Sequence, residues 1–138
     1  EAIILMPGAS NYFKGGIVSY TNDVKEKLLG VSHDVLEEKT AVCEEVAVEM
    51  VKGAIKALDV DYAISATGIA GPAGGTHEIP VGTIWLACGN ADDIVTMKLE
   101  EDRGRDLNLE NATTQALQLF LNYLTERLKD TGEDDNQG

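Results

Sequence analysis

A glycine-rich segment, residues 67–76, is the part of this sequence best suited to binding a ligand. It reads TGIAGPAGGT, follows a short apolar run and leads into Pro80-Val81-Gly82. Glycine permits positive φ and lets backbone N–H groups approach a ligand closely, so such a loop can cradle a phosphate or an oxyanion. It has neither the lysine of a Walker loop nor the spacing of a dinucleotide-binding fingerprint. A flexible surface loop is the alternative, although the length of the segment favours function.

A serine and a lysine upstream of this loop have the residue types of a nucleophile and its base. Ser10 follows Pro7-Gly8-Ala9 at a predicted turn, and Lys25 closely follows Asn22, which we expect to cap a short helix. The first turn of a helix disfavours a cation and so lowers the pKa of a lysine, which suits a general base. The alternatives are a turn hydroxyl for Ser10 and a surface cation for Lys25.

Two arginines, Arg103 and Arg105, stand just before a long C-terminal helical pattern. Because a helix start disfavours cations, the pair fits a position facing an anion. Ion pairing with the neighbouring Glu100, Glu101 and Asp102 is the alternative.

Composition restricts the class of protein. The chain has 138 residues, with 24 Asp and Glu against 11 Lys and Arg and a formal net charge of −13. This length fits one domain, and the acidic balance argues against nucleic-acid binding. No membrane-spanning run or secretory signal is visible, so we expect a cytoplasmic protein. We expect Cys43 and Cys88 to be reduced core residues, and the isolated His33 and His77 predict no metal site.

The periodicity of apolar residues predicts an α/β fold that holds these groups in place. Helical spacing covers residues 43–58 and 106–128, and a short helix is predicted over residues 22–29. The predicted strands are residues 16–20, 60–66, 81–88 and 94–99. The 81–88 run is almost continuously apolar, as in a strand covered on both faces. A hairpin-length loop joins it to residues 94–99, so we expect a mixed sheet.

The two ends of the chain differ from this pattern. We expect one domain over residues 1–128 and a disordered acidic tail over residues 129–138. Residues 1–6 read as the end of a helix, and their apolar run IILM predicts an interface between copies of the chain.

The stretches around these three clusters resemble the CinA C-terminal-domain family, which includes the PncC-like nicotinamide mononucleotide (NMN) amidases. The matching stretches are PGASNYFKGGIVSYTNDVKEKLLGV, AVCEEVAVEM, ATGIAGPAGGTHEIPVGTIWLA and RDLNLENATTQAL. They cover nearly the whole chain from Pro7 to Leu128, and the string TGIAGP is highly specific to the family.

The resemblance implies a three-layer α/β/α sandwich that deamidates NMN to nicotinate mononucleotide and ammonia in pyridine nucleotide salvage, without cofactor or metal. The motifs of the family place the nucleophile on Ser10, the base on Lys25 and a site arginine on Arg105, with Arg103 as the alternative. The implied substrate-binding residues are Tyr20, Asn22, Thr67, Gly68, Gly71, Gly74 and Gly75. The implied partners are the nucleotide substrate and further copies of the chain in a homo-oligomer, with no direct binding of nucleic acid or membrane.

The sequence departs from the family pattern in three places. The first strand of the family and most of its first helix, which carries an Ala-Glu-Ser-Cys-Thr-Gly-Gly motif, have no counterpart before Glu1 in this sequence. Ile79 replaces the usual lysine of the glycine-rich loop, and Cys43 replaces the usual serine at the cap of the following helix. The alternative function is therefore a catalytically impaired binding or assembly module linked to competence or the DNA damage response. Release of ammonia from NMN distinguishes the two.

Overall fold

The computed structural model describes the backbone of residues 7–137 and the side chains of residues 7–129. After a short 3₁₀ turn, Ala9–Asn11, the elements are α1 (Asn22–Leu29), α2 (His33–Lys39), α3 (Glu44–Leu58), β1 (Ala63–Gly68), β2 (Ile84–Gly89), β3 (Ile94–Leu99) and α4 (Arg105–Gln137). The predicted helix end at residues 1–6 and its IILM surface lie outside the described residues. In the part of the chain that is described, no helix is both long and apolar enough to cross a membrane.

The strand β2 lies between two helical layers. It pairs with β1 on one side and β3 on the other, and successive side chains of a strand point to opposite faces. On one face Ala87 belongs to a core cluster with Val51 of α3. On the other face Leu86 belongs to a cluster with Ala112 and Ala116 of α4. The predicted three-layer α/β/α sandwich is confirmed.

The sheet differs from the prediction in its strand directions. Both pairings of the described strands are antiparallel, so the described sheet is not the mixed sheet that we expected. Residues 16–20 show the alternating exposure of a strand but pair with none of the three strands. Alternating burial shows only that the side chains suit a half-buried surface, whereas a strand also needs a hydrogen-bonded neighbouring strand.

The predicted starts of β1 and β2, at residues 60 and 81, each come three residues before the observed starts. The Val60 amide donates to the carbonyl oxygen of Ile55 at 3.1 Å and so completes the end of α3. The Thr83 amide donates to the carbonyl oxygen of Pro80 at 3.1 Å and belongs to a turn before β2. Apolar content alone does not separate these turn residues from the strands that follow them.

The helices α2 and α4 also differ from the prediction. The sequence analysis did not predict α2, which begins after Ser32, whose hydroxyl accepts from the Val35 amide at 3.5 Å. The backbone of α4 stays helical to Gln137, beyond the predicted end at Leu128, since no proline interrupts this segment. The division into a domain of residues 1–128 and a tail of residues 129–138 stays a prediction.

Both cysteines are free thiols. Cys88 is fully buried on β2, whereas Cys43 is half-buried at the start of α3. We expected both cysteines to be core residues, and of the two only Cys88 is one.

Candidate functional site

A groove with a volume of about 1100 Å³ runs along β1. Residues 11–20 form one wall and residues 58–68 another, and α4 contributes Leu109, Ala112, Leu117 and Phe120. Three of the predicted substrate-binding residues lie along this groove: Tyr20, Thr67 and Gly68. The groove is therefore the place to look for a substrate.

Lys25 is the one predicted catalytic residue that is buried, with only 7% of its surface exposed. Its Nζ donates to the backbone oxygen of Ser19, which lines the groove, at 3.0 Å. Burial lowers the pKa of Lys25, because the charged ammonium loses solvation. The direction is the one that the sequence predicted, but its cause is burial, whereas we expected the start of a helix to be the cause.

The helix α1 is capped by Thr21, and the expectation that Asn22 is the cap is wrong. The Thr21 hydroxyl accepts from the Val24 amide at 3.3 Å. Asn22 is the first residue of the helix and is exposed. The shift by one residue follows from the extended backbone of Thr21, since a cap residue lies outside the helical conformation.

Ser10 is exposed on the short 3₁₀ turn, whose neighbouring residue Ala9 is buried. The Phe13 amide donates to the Ala9 carbonyl oxygen at 2.7 Å and closes this turn. Among the described residues no hydrogen bond joins Ser10 to Lys25, and the ammonium of Lys25 donates to Ser19 instead. A nucleophile and its base often stand further apart before a substrate is bound.

The glycine-rich loop is folded back onto itself. The Ile69 amide donates to the Thr83 carbonyl oxygen at 2.9 Å, and the Gly82 amide donates to the Ile69 carbonyl oxygen at 2.8 Å. A Cβ atom on Gly71 would lie 2.4 Å from Cγ1 of Val81. Glycine at position 71 is thus needed for close packing against Val81, whereas residues 72–78 are exposed.

Thr67 and Gly74 have surroundings that the sequence does not reveal. The Thr67 hydroxyl donates to the backbone oxygen of Ala41 at 2.8 Å and so anchors β1 to the segment that precedes α3. Gly74 lines a separate cavity of about 610 Å³ together with His77, while Gly75 is exposed in the loop. The structure therefore does not bring all the predicted binding residues to one surface.

The two arginines have different partners. Arg103 Nε donates to Oε1 of Glu101 at 2.8 Å, which is the ion pair expected as the alternative. Arg105 Nη1 donates to the backbone oxygen of Gly71 in the loop at 2.8 Å. Only Arg105 therefore brings its charge to the predicted binding loop.

Asn108 contacts the same loop, and the sequence analysis did not single it out. It is 4% exposed, and its Nδ2 donates to the backbone oxygen of Ala70 at 3.0 Å and to Oδ1 of Asp102 at 2.9 Å. Its Oδ1 accepts from the Arg103 amide at 2.9 Å. The feature of the sequence that could have identified Asn108 is a polar residue on the buried side of a helical pattern.

Within the described residues no group of three potential metal ligands comes together.

The family model for the CinA C-terminal domain matches residues 1–124. The chain belongs to this family. The resemblance found in the sequence is thereby confirmed, and it covers the groove, the loop and most of α4.

Relatives of different length share this domain. The protein named nicotinamide-nucleotide amidohydrolase PncC from Escherichia coli K12 is 44% identical over 119 residues, which are 86% of this chain and 72% of that protein. A CinA-like protein from Amoebophilus asiaticus is 40% identical over 120 residues, which are 87% of this chain but 29% of that protein. The chain thus spans less than a third of the longer relative.

Solved structures from the same superfamily have the same fold. The competence/damage inducible protein CihA from Agrobacterium tumefaciens superimposes with a TM-score of 0.84 at 33% identity, over 87% of this chain and 74% of that one. A CinA superfamily protein from Escherichia coli gives a TM-score of 0.83 at 34% identity, over 87% of this chain and 70% of that one.

Proposed function

We propose that this chain is an amidohydrolase that converts NMN to nicotinate mononucleotide and ammonia. The observation that carries the proposal is the buried Lys25, whose amine lies beside the groove and has a lowered pKa. A lysine serves as a base only when it is neutral, and burial favours that form. The relative named nicotinamide-nucleotide amidohydrolase, with 44% identity, supports the choice of substrate.

The proposed reaction uses Ser10 as nucleophile and Lys25 as base. Neutral Lys25 takes the proton of the Ser10 hydroxyl while the oxygen attacks the carboxamide carbon. The proton then passes to the departing nitrogen, which leaves as ammonia, and an acyl-enzyme ester remains on Ser10. Water, deprotonated by the same amine, hydrolyses the ester, releases nicotinate mononucleotide and restores both side chains.

The phosphate of the substrate requires positive potential in a chain of net charge −13. Arg105 supplies a guanidinium at the glycine-rich loop through its contact with Gly71. Backbone N–H groups of a glycine-rich loop add partial positive charge without further side chains. We propose that Arg105 and this loop bind the 5′-phosphate and that Tyr20, Thr67 and Gly68 contact the substrate along the groove. Asn22, Gly74 and Gly75 stay contacts that the family resemblance alone implies.

The deciding experiment measures ammonia released from NMN by the purified chain. We expect stoichiometric formation of nicotinate mononucleotide, and slower turnover of nicotinamide riboside because it lacks the phosphate. Binding of NMN without release of ammonia would refute the amidase and support the alternative, an assembly or binding module linked to competence or DNA damage.

We further propose that the chain acts in the cytoplasm as a homo-oligomer in pyridine nucleotide salvage. Val18 is 89% exposed and Tyr20 is 82% exposed, so large apolar side chains stand on the surface beside the groove. Clustered exposed apolar surface is typical of interfaces. Light scattering at micromolar concentration is expected to show a mass above 14.8 kDa, and a clean monomer would contradict the oligomer.

A further inference from the structure

The helix α4 carries a second apolar stripe besides the one that packs on the sheet. Ala112 and Ala116 belong to a core cluster with β2, and α4 packs against the strands through this side. At about 100° per residue, Leu121 points away from the side of Ala112. It belongs to a line of four leucines that we call the leucine seam: Leu117, Leu121, Leu124 and Leu128. Leu121 is 57% exposed and Leu128 is 71% exposed, so large apolar side chains stand in solvent along this side of α4.

The spacing of these leucines is typical of a surface on which another helix packs. The intervals along the seam are four, three and four residues, which is the repeat of about 3.5 residues that keeps apolar side chains in line on paired helices. At 1.5 Å per residue the seam is about 16 Å long. Two such seams can interlock, because each leucine fits among side chains of the facing helix.

The distribution of charge favours a second copy of the chain as the partner. Residues 111–125 contain no Asp, Glu, Lys or Arg, although 25% of the whole chain is charged. A helix side that faces water normally carries charged residues. Two copies with a net charge of −13 each repel one another, and they approach most easily through a surface that is free of charge. The leucine seam is such a surface.

Glu110 favours an antiparallel arrangement of the two helices. It precedes Leu117 by seven residues, so it continues the line of the seam, and it is exposed. In a parallel pair the Glu110 carboxylates of the two copies would face each other, and the helix dipoles would also repel. An antiparallel pair separates the two carboxylates and packs Leu121 of each copy against Leu124 of the other. Such an interface uses the same surface on both copies, as a two-fold axis requires.

We propose that the leucine seam binds the leucine seam of a second copy, with the two α4 helices antiparallel about a two-fold axis. The inference deepens the homo-oligomer of the proposed function and rests on that part of it, whereas the amidase activity is not needed. Leu117 also lines the groove, so the second copy borders the proposed substrate site.

Leu121→Gln tests the centre of the seam. Glutamine keeps a similar length and a similar helix propensity but removes the apolar surface. Leu28→Gln is the matched control, because Leu28 lies on α1 and is 56% exposed, almost the same fraction as Leu121. Leu128→Gln repeats the test at the end of the seam and takes the place of Leu121→Gln if that variant does not fold.

Sedimentation equilibrium measures the dissociation constant of the dimer and needs no turnover. We expect the wild type and Leu28→Gln to be dimers at micromolar concentration. In Leu121→Gln and in Leu128→Gln the dissociation constant should rise about tenfold or more, because burial of a leucine contributes at least that factor. A monomeric wild type, or a dissociation constant in the seam variants equal to that of Leu28→Gln, would overturn the proposal.

Spin labels on Asp106→Cys, in a Cys43→Ser background, measure the direction of the two helices. Asp106 is exposed in the first turn of α4. An antiparallel pair centred between Leu121 and Leu124 places the two labels about 33 residues apart along the helix axis, or about 50 Å. A distance below about 25 Å would contradict the antiparallel arrangement.

The oligomeric state and the release of ammonia are separate readouts. A dimeric wild type that releases no ammonia from NMN refutes the amidase and supports the pairing through the seam. A monomeric wild type that releases ammonia refutes the pairing and leaves the amidase in place, so the two failures are distinguishable.

Discussion

A Cβ atom on Gly53 would lie 1.8 Å from the carbonyl oxygen of Leu29. Gly53 is in α3 and Leu29 ends α1, so the two helices approach at a point where no side chain fits. The same close approach places Leu29 in a core cluster with Met50 of α3. Because Lys25 lies one turn before Leu29, the contact also sets the depth at which the candidate base is buried.

Gly53→Ala is expected to destabilise the protein. In an unobstructed helix this change would stabilise by up to about 1 kcal/mol, but here the methyl group would overlap backbone, and overpacking costs about 1–3 kcal/mol. Urea unfolding measures the difference. Gly16→Ala is the control, since nothing lies within 4 Å of a Cβ atom there. A Gly53→Ala variant as stable as the wild type would contradict the packing described above.

Ser10→Ala is expected to abolish ammonia release from NMN while leaving nucleotide affinity close to that of the wild type. The hydroxyl is needed to form the acyl-enzyme and not to hold the phosphate. Turnover and calorimetric binding are measured in parallel, with Thr125→Ala as the control, because the Thr125 hydroxyl bonds only within α4. If Ser10→Ala keeps about a tenth or more of the turnover, the nucleophile lies elsewhere.

Lys25→Arg is expected to be nearly inactive, because a guanidinium stays protonated and cannot accept the serine proton. In the wild type the rate should rise with pH through a pKa below the ordinary lysine value of 10.5, since burial favours the neutral amine. Lys27→Arg is the matched control on the exposed side of α1, where Lys27 pairs with Asp23 at 3.1 Å. Substantial turnover by Lys25→Arg would instead make Lys25 a phosphate ligand.

The two thiols are expected to differ in reactivity. Burial raises the pKa of Cys88 to about 11 and also raises the pKa of the half-buried Cys43. Because the thiolate is the reactive form, a disulfide reagent near neutral pH should modify Cys43 slowly and Cys88 only after unfolding. Cys43→Ser should then show no reaction in the native state. Rapid modification of that variant would mean that β2 is accessible to solvent.

His33 is expected to make stability depend on pH. Its Nδ1 lies 2.5 Å from Oε1 of Glu26 on α1, and its Nε2 lies 2.9 Å from Oε1 of Glu37 on α2. The hydrogen bond with Glu26 and the charges of both carboxylates raise the pKa of His33 above its ordinary 6.5.

A raised pKa means that the stabilisation is complete below pH 6.5 and is lost as the pH rises through the higher value of the folded state. The melting temperature should therefore decline over that range. His33→Gln should flatten the decline, whereas His77→Gln, on the exposed loop, should keep it. An unchanged slope in His33→Gln would show that the ion pairs contribute nothing measurable, as is common at a surface.

The parts of the fold that the sequence predicted well are those in which local pattern and burial agree. The bounds predicted for α1 and β3 match the structure, and the apolar run of β2 correctly indicated two covered faces. The strand predicted over residues 16–20 is not observed, because strand pairing depends on a partner that is distant in the sequence. The predicted start of β1 at Val60 is wrong, because the Val60 amide still donates to Ile55 of the preceding helix.

The candidate site was only partly accessible from the sequence. Residue types indicated Lys25 and the pair Arg103 and Arg105, from which the family resemblance selected Arg105. Neither indicated that burial would lower the pKa of Lys25, since burial depends on how helices pack. Nothing local to Asn108 reveals its bond to Ala70, which lies 38 residues earlier in the chain. Contacts of this kind appear only when the loop and α4 are seen together.

The meander of β1, β2 and β3 has a consequence for how the chain folds. Each strand pairs with its neighbour in sequence, and α3, which precedes them, packs on one face. Contacts between elements that are neighbours in the sequence favour fast folding. Residues 44–99 are therefore expected to form the folding nucleus, with α4 docking afterwards on the other face of the sheet. Side chains such as Ala112 and Ala116 would then make their contacts after the transition state. Their truncation should hasten unfolding while leaving the refolding rate almost unchanged.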